Sequence, residues 1–505
     1  MVFRISIALV LVLVLLAGLA PGPFNTVVQA ALADVIRSVG WLYLLVVFLA
    51  LVFLMYLAFG RFGNLRIGGE DAEPEFSRAS WMSMLFAAGM GIGLVFWGVA
   101  EPVSHYVTPP PGITAGTPEA ANAAMRYVFF HWGIHPWAVY SIVALAIAFF
   151  QYRRGGLPMI STVTGSLPWR WVRSLSGVFN GLAIVATAFG VAASLGVGAL
   201  QINTGMHAVF GLDVSKTWQI VIIVVTAAVF MTSAVTGVEK GIKYLSNFNI
   251  GVAVLLAITV FVLGPTVAII DTFSNTLGSY LTYIVRMSLR STPFRDSEWV
   301  GNWTIFYWAW WISWSPFVGL FIARVSRGRT IREFIVGTVV APSLAAFVWF
   351  SVFGGTALHM EIWQHVPLSE AVKADVATAL FAMFAAMPFG LIMSVVATML
   401  VLVFFITSGD SAVLVLGMMS TNGNPNPPNK VKVLWGVLVA GIAVSLLLAG
   451  GLEAVQTATI LFALPFAIVI VLMVVALWRA LREDWNAENK REREMRKRVR
   501  EMLSK

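Results

Sequence analysis

Between Trp303 and Trp314 the chain places five tryptophans, Tyr307 and Phe306 within twelve residues. Ser315-Pro316 follows at once, and then four arginines within nine residues, Arg324, Arg327, Arg329 and Arg332. On a helix of about 3.6 residues per turn, Tyr307, Trp311 and Trp314 share one broad face, with Trp310 beside it. A second aromatic set stands in FFHWGIHPWAVY, residues 129–140, where Trp132 and Tyr140 are eight apart and lie within about 80° of each other on a helix. Such ring faces could wall a box for a cation that cannot donate hydrogen bonds, a quaternary ammonium. Each face contributes roughly 0.5–2 kcal/mol. The competing reading is an interfacial belt, in which Trp and Tyr anchor helix ends at the lipid headgroups. The run lies near the middle of its apolar span, which favours the cation site.

Other chemistry is thinner. His131 and His135 have the i, i+4 spacing of a zinc pair, but no Glu stands between them and Pro136 follows, so a metal site is not supported. Asp410, in ITSGDSA, is an acid within an apolar span and hence a functional candidate. Glu101, at the end of another span, reads as structural. No nucleophile–base arrangement and no phosphate-binding loop is found, so the chain is not expected to be an enzyme. It has no cysteine, which excludes disulfides and cysteine-ligated metals.

The elements that must position these residues are membrane helices. The 505 residues are 59% hydrophobic and only 11% charged, with a mean hydropathy of +0.85. Apolar runs of about 20 residues, each long enough for a hydrocarbon core of roughly 30 Å, recur along the chain. Twelve are expected, near 4–21, 40–60, 81–100, 128–150, 175–206, 218–236, 248–270, 302–323, 333–355, 376–408, 432–450 and 457–478. The first resembles a signal peptide, but its apolar core is long, which favours a retained helix. Loops after even-numbered spans carry fifteen Lys and Arg, loops after odd-numbered spans seven, and ten more follow the last span. The positive-inside rule then places both termini in the cytoplasm of a cell (inner) membrane protein. The sequence pI of 9.8 reflects this topology and gives no nucleic-acid signal. Residues 271–299 are too polar to span and read as an amphipathic helix at the outer surface. The tail, 479–505, is basic and helix-forming. It suits contact with anionic lipid or an acidic loop, or equally a solvated helix that only fixes topology.

Two spans are expected to break. AAGMGIGLVFWGVAEP alternates Gly89, Gly91 and Gly93, which unwind easily; close helix packing through small residues is the alternative. In span 8, Pro316 removes one helical hydrogen bond. Interrupted spans five apart suit an inverted-repeat transporter with its site where the broken helices meet.

AGMGIGLVFWGVAEP, HWGIHPWAVY and WTIFYWAWWISWSPFVGLFIARVSRGRTIREFI together resemble the betaine/choline/carnitine transporter family over essentially the whole chain. The resemblance implies an all-α polytopic fold with a leucine-transporter-type 5+5 inverted repeat in spans 3–12, usually as a homotrimer. Its parts would be two peripheral helices (1–75), a first repeat (76–270), the surface helix (271–300), a second repeat (301–478) and the tail (479–505). It implies secondary transport of a trimethylammonium-like solute, with Trp132, Tyr140, Trp311 and Trp314 as the box. Trp310 and Phe306 would line the cytoplasmic path, and the unwound segment of Gly89, Met90, Gly91 and Gly93 would meet a substrate carboxylate. No cofactor is implied beyond Na⁺ as coupling ion, held by Ala87, Met90, Phe404, Thr407 and Ser408; for the two hydroxyls, interhelical hydrogen bonding is the alternative. A second sodium position would use Thr187 and Phe317, but Val191 stands where the pattern has a second threonine, which leaves a 1:1 sodium ratio or a site shifted to Ser194 as the alternatives. Gly93, where proton-coupled choline carriers tend to have aspartate, favours a zwitterion. The expectation is a sodium-coupled symporter of glycine betaine or a related compatible solute; sodium-independent exchange and proton coupling are the alternatives.

Overall fold

The computed structural model describes residues 2–69, 71–89, 91–236, 239–294 and 298–504. Among these there is no β-strand, only one isolated antiparallel bridge between Arg66 and Thr330. The chain runs through α1 (Val2–Leu19), α2 (Pro21–Phe59), α3 (Arg78–Gly89), α4 (Ile92–Val107), α5 (Pro118–Trp132), α6 (Ile134–Ala148), α7 (Ile160–Thr164), α8 (Arg170–Phe210) and α9 (Lys216–Thr236). It continues through α10 (Glu239–Leu263), α11 (Thr266–Ser288), α12 (Phe306–Val325), α13 (Ile331–Trp363), α14 (Leu368–Ala374) and α15 (Ala379–Ala385). The last helices are α16 (Gly390–Ser420), α17 (Asn429–Gly450) and α18 (Leu452–Leu503).

Ten described helical segments are long and apolar enough to cross a membrane. The other two expected spans fall on α1, whose apolar stretch Ser6–Leu19 is shorter, and on the divided pair α3 and α4. Burial sorts the helices into layers. The most apolar windows of α5–α6 and of α8 are 94% buried, against 22% in α10. A helix that is apolar all round belongs inside, and one packed on a single side faces lipid. At the centre α12 lies along α6, where Gly319 permits close approach: a Cβ there would stand 2.8 Å from Val143 Cγ1.

The expected break in span 8 is absent. α12 runs continuously through Pro316. Proline leaves the carbonyl four residues back without its donor, and here Ser315 Oγ donates to that Ile312 oxygen at 2.7 Å. The irregular backbone lies earlier, in a π turn over Gly301–Ile305. Span 4, expected to be whole, is divided at Gly133 (φ −89°, ψ −134°). Pro136 cannot donate to Trp132, and α13's Phe347 presses where a side chain at 133 would be, its Cε1 2.6 Å from a Cβ there. Span 3 breaks as expected between Gly89 and Ile92.

Other boundaries move for local reasons. The expected 376–408 span is α15 and α16 separated by a turn at Pro388-Phe389, where Phe389 is left-handed (φ 60°). α2 begins at Pro21, well before residue 40, and α11 begins at Thr266. On α11, Ile269, Thr276, Tyr280 and Met287 are buried while Val267, Ile270, Leu281 and Val285 are exposed, as an amphipathic helix requires. The last expected span and the tail are one helix, α18. Near its middle Asp484 pairs with Arg153, and also with Arg154 at 2.6 Å.

Candidate substrate-binding site

α4, α5, α6, α8, α10, α12, α13 and α16 enclose a cavity of about 360 Å³. Trp132, Tyr140, Trp310, Trp311 and Trp314, drawn from two separate aromatic runs, all line it. The α5–α6 break brings them together: Trp132 ends one helix and Tyr140 lies on the next. The Trp132 ring stands 4.9 Å from Trp311 at 72°, Tyr140 stands 6.2 Å from Trp311 at 81°, and Trp310 stacks on Trp311 at 5.0 Å and 10°. Mutually steep walls surround a volume instead of closing on one another.

Three of these indoles spend their N–H on protein oxygens. Trp311 donates to His131 O at 2.9 Å, Trp314 to Gly190 O at 2.8 Å, and Trp132 to Glu101 Oε2 at 2.7 Å. The electron-rich faces thus remain for a guest while the positive edges are occupied. Among the described lining residues none is Asp, Glu, Lys, Arg or His. A guest cation therefore meets no fixed counter-charge and no competing base.

The opposite charge is provided for at the helix break. Gly91 caps α4, and Gly91, Ile92, Gly93 and Leu94 all line the cavity. The first turn of a helix has amide N–H groups without intrahelical partners and the positive end of the dipole, which suits an anion. Gly93 is wedged between two walls: a Cβ would lie 2.8 Å from Trp310 Cη2 and 3.0 Å from Trp132 Cη2. Gly89 ends α3; Met90 lies outside the described residues, as does the Ala87 side chain.

Phe404, Thr407 and Ser408 of α16 also line the cavity. Thr407 Oγ1 donates to Val403 O at 3.0 Å, which leaves its lone pairs to accept or to ligate. Phe317 lines the cavity; Thr187 and Val191 do not and are fully buried, with Thr187 Oγ1 lacking a hydrogen-bond partner. Phe306 is not a lining residue but backs Trp310 at 5.5 Å. From Trp310 to Phe321 the cavity follows one face of α12 toward the arginine-rich end, about 16 Å at the rise of a helix.

The two histidines diverge across the Gly133 break. His131 reaches Glu101 at 2.7 Å and Thr304 at 3.0 Å, while His135 reaches Ser288 at 2.8 Å. Asp410 is half-buried on α16 and does not line the cavity. Ser194, the hydroxyl to which the second sodium position could shift, lines the cavity, whereas sequence reasoning missed Ser246 and Ser411 as lining residues and Glu101 as the support of Trp132. Phe321 was readable, one helical turn beyond Phe317 on the same face.

A polytopic helical bundle with a central, uncharged aromatic cavity defines a membrane carrier of small solutes. The family model of betaine/carnitine/choline transporters matches residues 1–486, and the chain belongs to that family. It is 46% identical to the glycine betaine transporter OpuD of Bacillus subtilis over 96% of this chain and 94% of the relative. It is 44% identical to an ectoine/hydroxyectoine transporter of Virgibacillus pantothenticus over 95% and 96%. It is 43% identical to glycine betaine transporter 1 of Vibrio parahaemolyticus over 89% and 87%. The protein is therefore a multi-pass membrane transporter of a small solute, not an enzyme.

Proposed function

We propose that this carrier is a sodium-coupled symporter of glycine betaine or a closely related quaternary-ammonium or sulfonium zwitterion, accumulated as a compatible solute. The observation that carries the proposal is the pairing, in one uncharged cavity, of the Trp132, Tyr140, Trp311 and Trp314 faces with the start of α4. The faces suit a methylated cation and the helix start suits its carboxylate. Transport of glycine betaine by the relatives from Bacillus subtilis and Vibrio parahaemolyticus, as their names state, supports the same substrate. The ectoine/hydroxyectoine relative favours a second substrate class, since ectoine's cyclic amidinium also presents a delocalised cation before a carboxylate.

Na⁺ binds between the segment of Ala87 and Met90 and the oxygens of Phe404, Thr407 and Ser408; oxygen ligands suit this hard cation. The second position, at Thr187 and Phe317, lacks the hydroxyl that Val191 replaces, so one sodium per substrate is the expected ratio. In this proposal twelve spans cross the membrane, and two inverted five-helix repeats, 76–270 and 301–478, rock about the cavity in alternating access. Residues 1–75 stay peripheral, 271–300 lies at the outer surface and the protein is a homotrimer. Both termini are cytoplasmic, where the basic tail 479–505 meets anionic lipid.

Uptake of labelled glycine betaine into proteoliposomes tests this, first with an inward sodium gradient and then with potassium in place of sodium. Uptake with sodium alone is expected. Uptake in both that depends on preloaded substrate would mean exchange and overturn the ion site. No uptake in either would overturn the substrate.

A further inference from the structure

Behind the cavity, four side chains converge on one buried carboxylate. Glu101 Oε2 accepts from Trp132 Nε1 at 2.7 Å and from Tyr307 Oη at 2.5 Å. Its Oε1 lies 2.7 Å from His131 Nδ1 and 3.1 Å from His105 Nε2. Glu101, His105 and His131 are each 0% exposed. An ionisable side chain buried in a membrane helix is costly and is by default a functional candidate.

Two histidines and a glutamate this close also have the makings of a metal site. The geometry disfavours one. Tetrahedral zinc, with bonds of about 2.0–2.1 Å, sets its ligand atoms about 3.3 Å apart. The 2.7 Å separation here is that of a charge-assisted hydrogen bond, and indole and phenol donors already occupy the second oxygen.

We propose that Glu101 is a positioning residue for the substrate cage, holding its aromatic walls at binding geometry without touching the substrate. This rests on the cage reading of the cavity. Trp132 is held directly. Tyr307 is held by the same oxygen, and it stacks on Trp311 at 5.8 Å and 22° and on Trp310 at 6.2 Å and 28°. The third route is the backbone of His131, whose carbonyl accepts from Trp311 Nε1 at 2.9 Å. His131 itself is fixed between Glu101 and Thr304 Oγ1 at 3.0 Å. Indole can only donate, so Trp132 needs an acceptor at this place. Without one, its ring is free to turn and its buried N–H is left unpaired.

The role depends on acceptor capacity more than on charge, and this separates two variants of similar shape. Glu101→Met removes both acceptors. Glu101→Gln offers its amide oxygen to Trp132 and Tyr307, while its amide N–H groups meet the ring-nitrogen lone pairs of two neutral histidines.

The experiment has two readouts. In proteoliposomes, Glu101→Met is expected to raise the KM for glycine betaine about tenfold or more with a much smaller change in maximal rate, and Glu101→Gln to restore KM to near the wild-type value. In substrate-free protein labelled with 5-fluorotryptophan, the Trp132 resonance is assigned by its loss in Trp132→Phe. It is expected to shift in Glu101→Met and return in Glu101→Gln, while the exposed Trp169 stays in place. An unmoved Trp132 resonance, or an unchanged KM in Glu101→Met, overturns the proposal. So does a Glu101→Gln protein as impaired as Glu101→Met. Wild-type protein that takes up no glycine betaine would overturn the substrate assignment instead, and the resonance would still decide the role of Glu101.

Discussion

A single methyl group on Gly93 tests whether the cage is as tightly built as it looks. In Gly93→Ala the new carbon falls 2.8 Å from Trp310 Cη2 and 3.0 Å from Trp132 Cη2. Carbon atoms in contact rest about 3.5–4.0 Å apart, so both rings must retreat by about 0.5–1 Å. Neither has an easy path. Trp132 is tied to Glu101 at 2.7 Å, and Trp310 is stacked between Trp311 at 5.0 Å and Phe306 at 5.5 Å. Overpacking of this kind costs about 1–3 kcal/mol. If the strain is relieved by moving the rings off the bound cation, Kd rises about 5- to 140-fold. If it is not relieved, the melting temperature falls. Titration of glycine betaine by calorimetry, with a thermal melt of the same detergent-solubilised sample, reads both outcomes. Gly91→Ala is the matched control. Its backbone is extended (φ −158°, ψ −173°), and no protein atom lies within 4 Å of its Cβ, so its melting temperature should match the wild type. Binding within about threefold of wild type by Gly93→Ala, with an unchanged melt, would refute the tight wedge between the two indoles.

Trp311→Ala and Trp314→Ala should each weaken glycine betaine binding about tenfold or more, since each removes a cavity-lining face; unchanged affinity in both would sink the cage. Thr407→Val and Ser408→Ala should raise the sodium concentration for half-maximal uptake about tenfold, and by reciprocity weaken substrate binding at low sodium; an unaltered sodium dependence would move the ion elsewhere. Ser315→Ala should cost about 0.6–2 kcal/mol in a thermal melt because Ile312's carbonyl loses its donor beside Pro316, whereas Ser313→Ala, whose hydroxyl bonds the already paired Trp310 carbonyl, should cost less.

The span positions and the aromatic runs that line the cavity were legible because their signals are local. Apolar runs announce membrane helices wherever they occur, and the spacing of Trp311 and Trp314 places them on one face of α12, whereas Trp132 and Tyr140 share a motif but meet across the Gly133 break. What stayed hidden depends on partners far along the chain. Glu101 looks like an ordinary acid at a helix end because three of its four partners lie 30, 31 and 206 residues away, and only His105 is near in sequence. The tail's hold on Arg153 is likewise invisible, with Asp484 standing 331 residues later. The helix breaks were misplaced for a subtler reason. Pro316 and Pro136 carry the same local signal, a missing N–H. At Pro316 the neighbouring Ser315 supplies the lost donor and the helix survives. At Pro136 no such hydroxyl precedes it, Gly133 accepts an irregular backbone, and Phe347 of α13 fills the space where a side chain would stand.

That difference sets which elements carry the two aromatic walls. The aromatic wall on α12 rides an unbroken helix, while the wall it faces is split, with Trp132 on α5 and Tyr140 on α6. Trp132 is bound to Glu101 of α4, whose first turn is where the substrate carboxylate is proposed to sit. Tyr140 belongs to the helix packed along α12 at Gly319. Gly133, whose backbone departs from helical geometry, is thus the point at which one apolar span passes from a wall tied to α4 to a wall packed along α12.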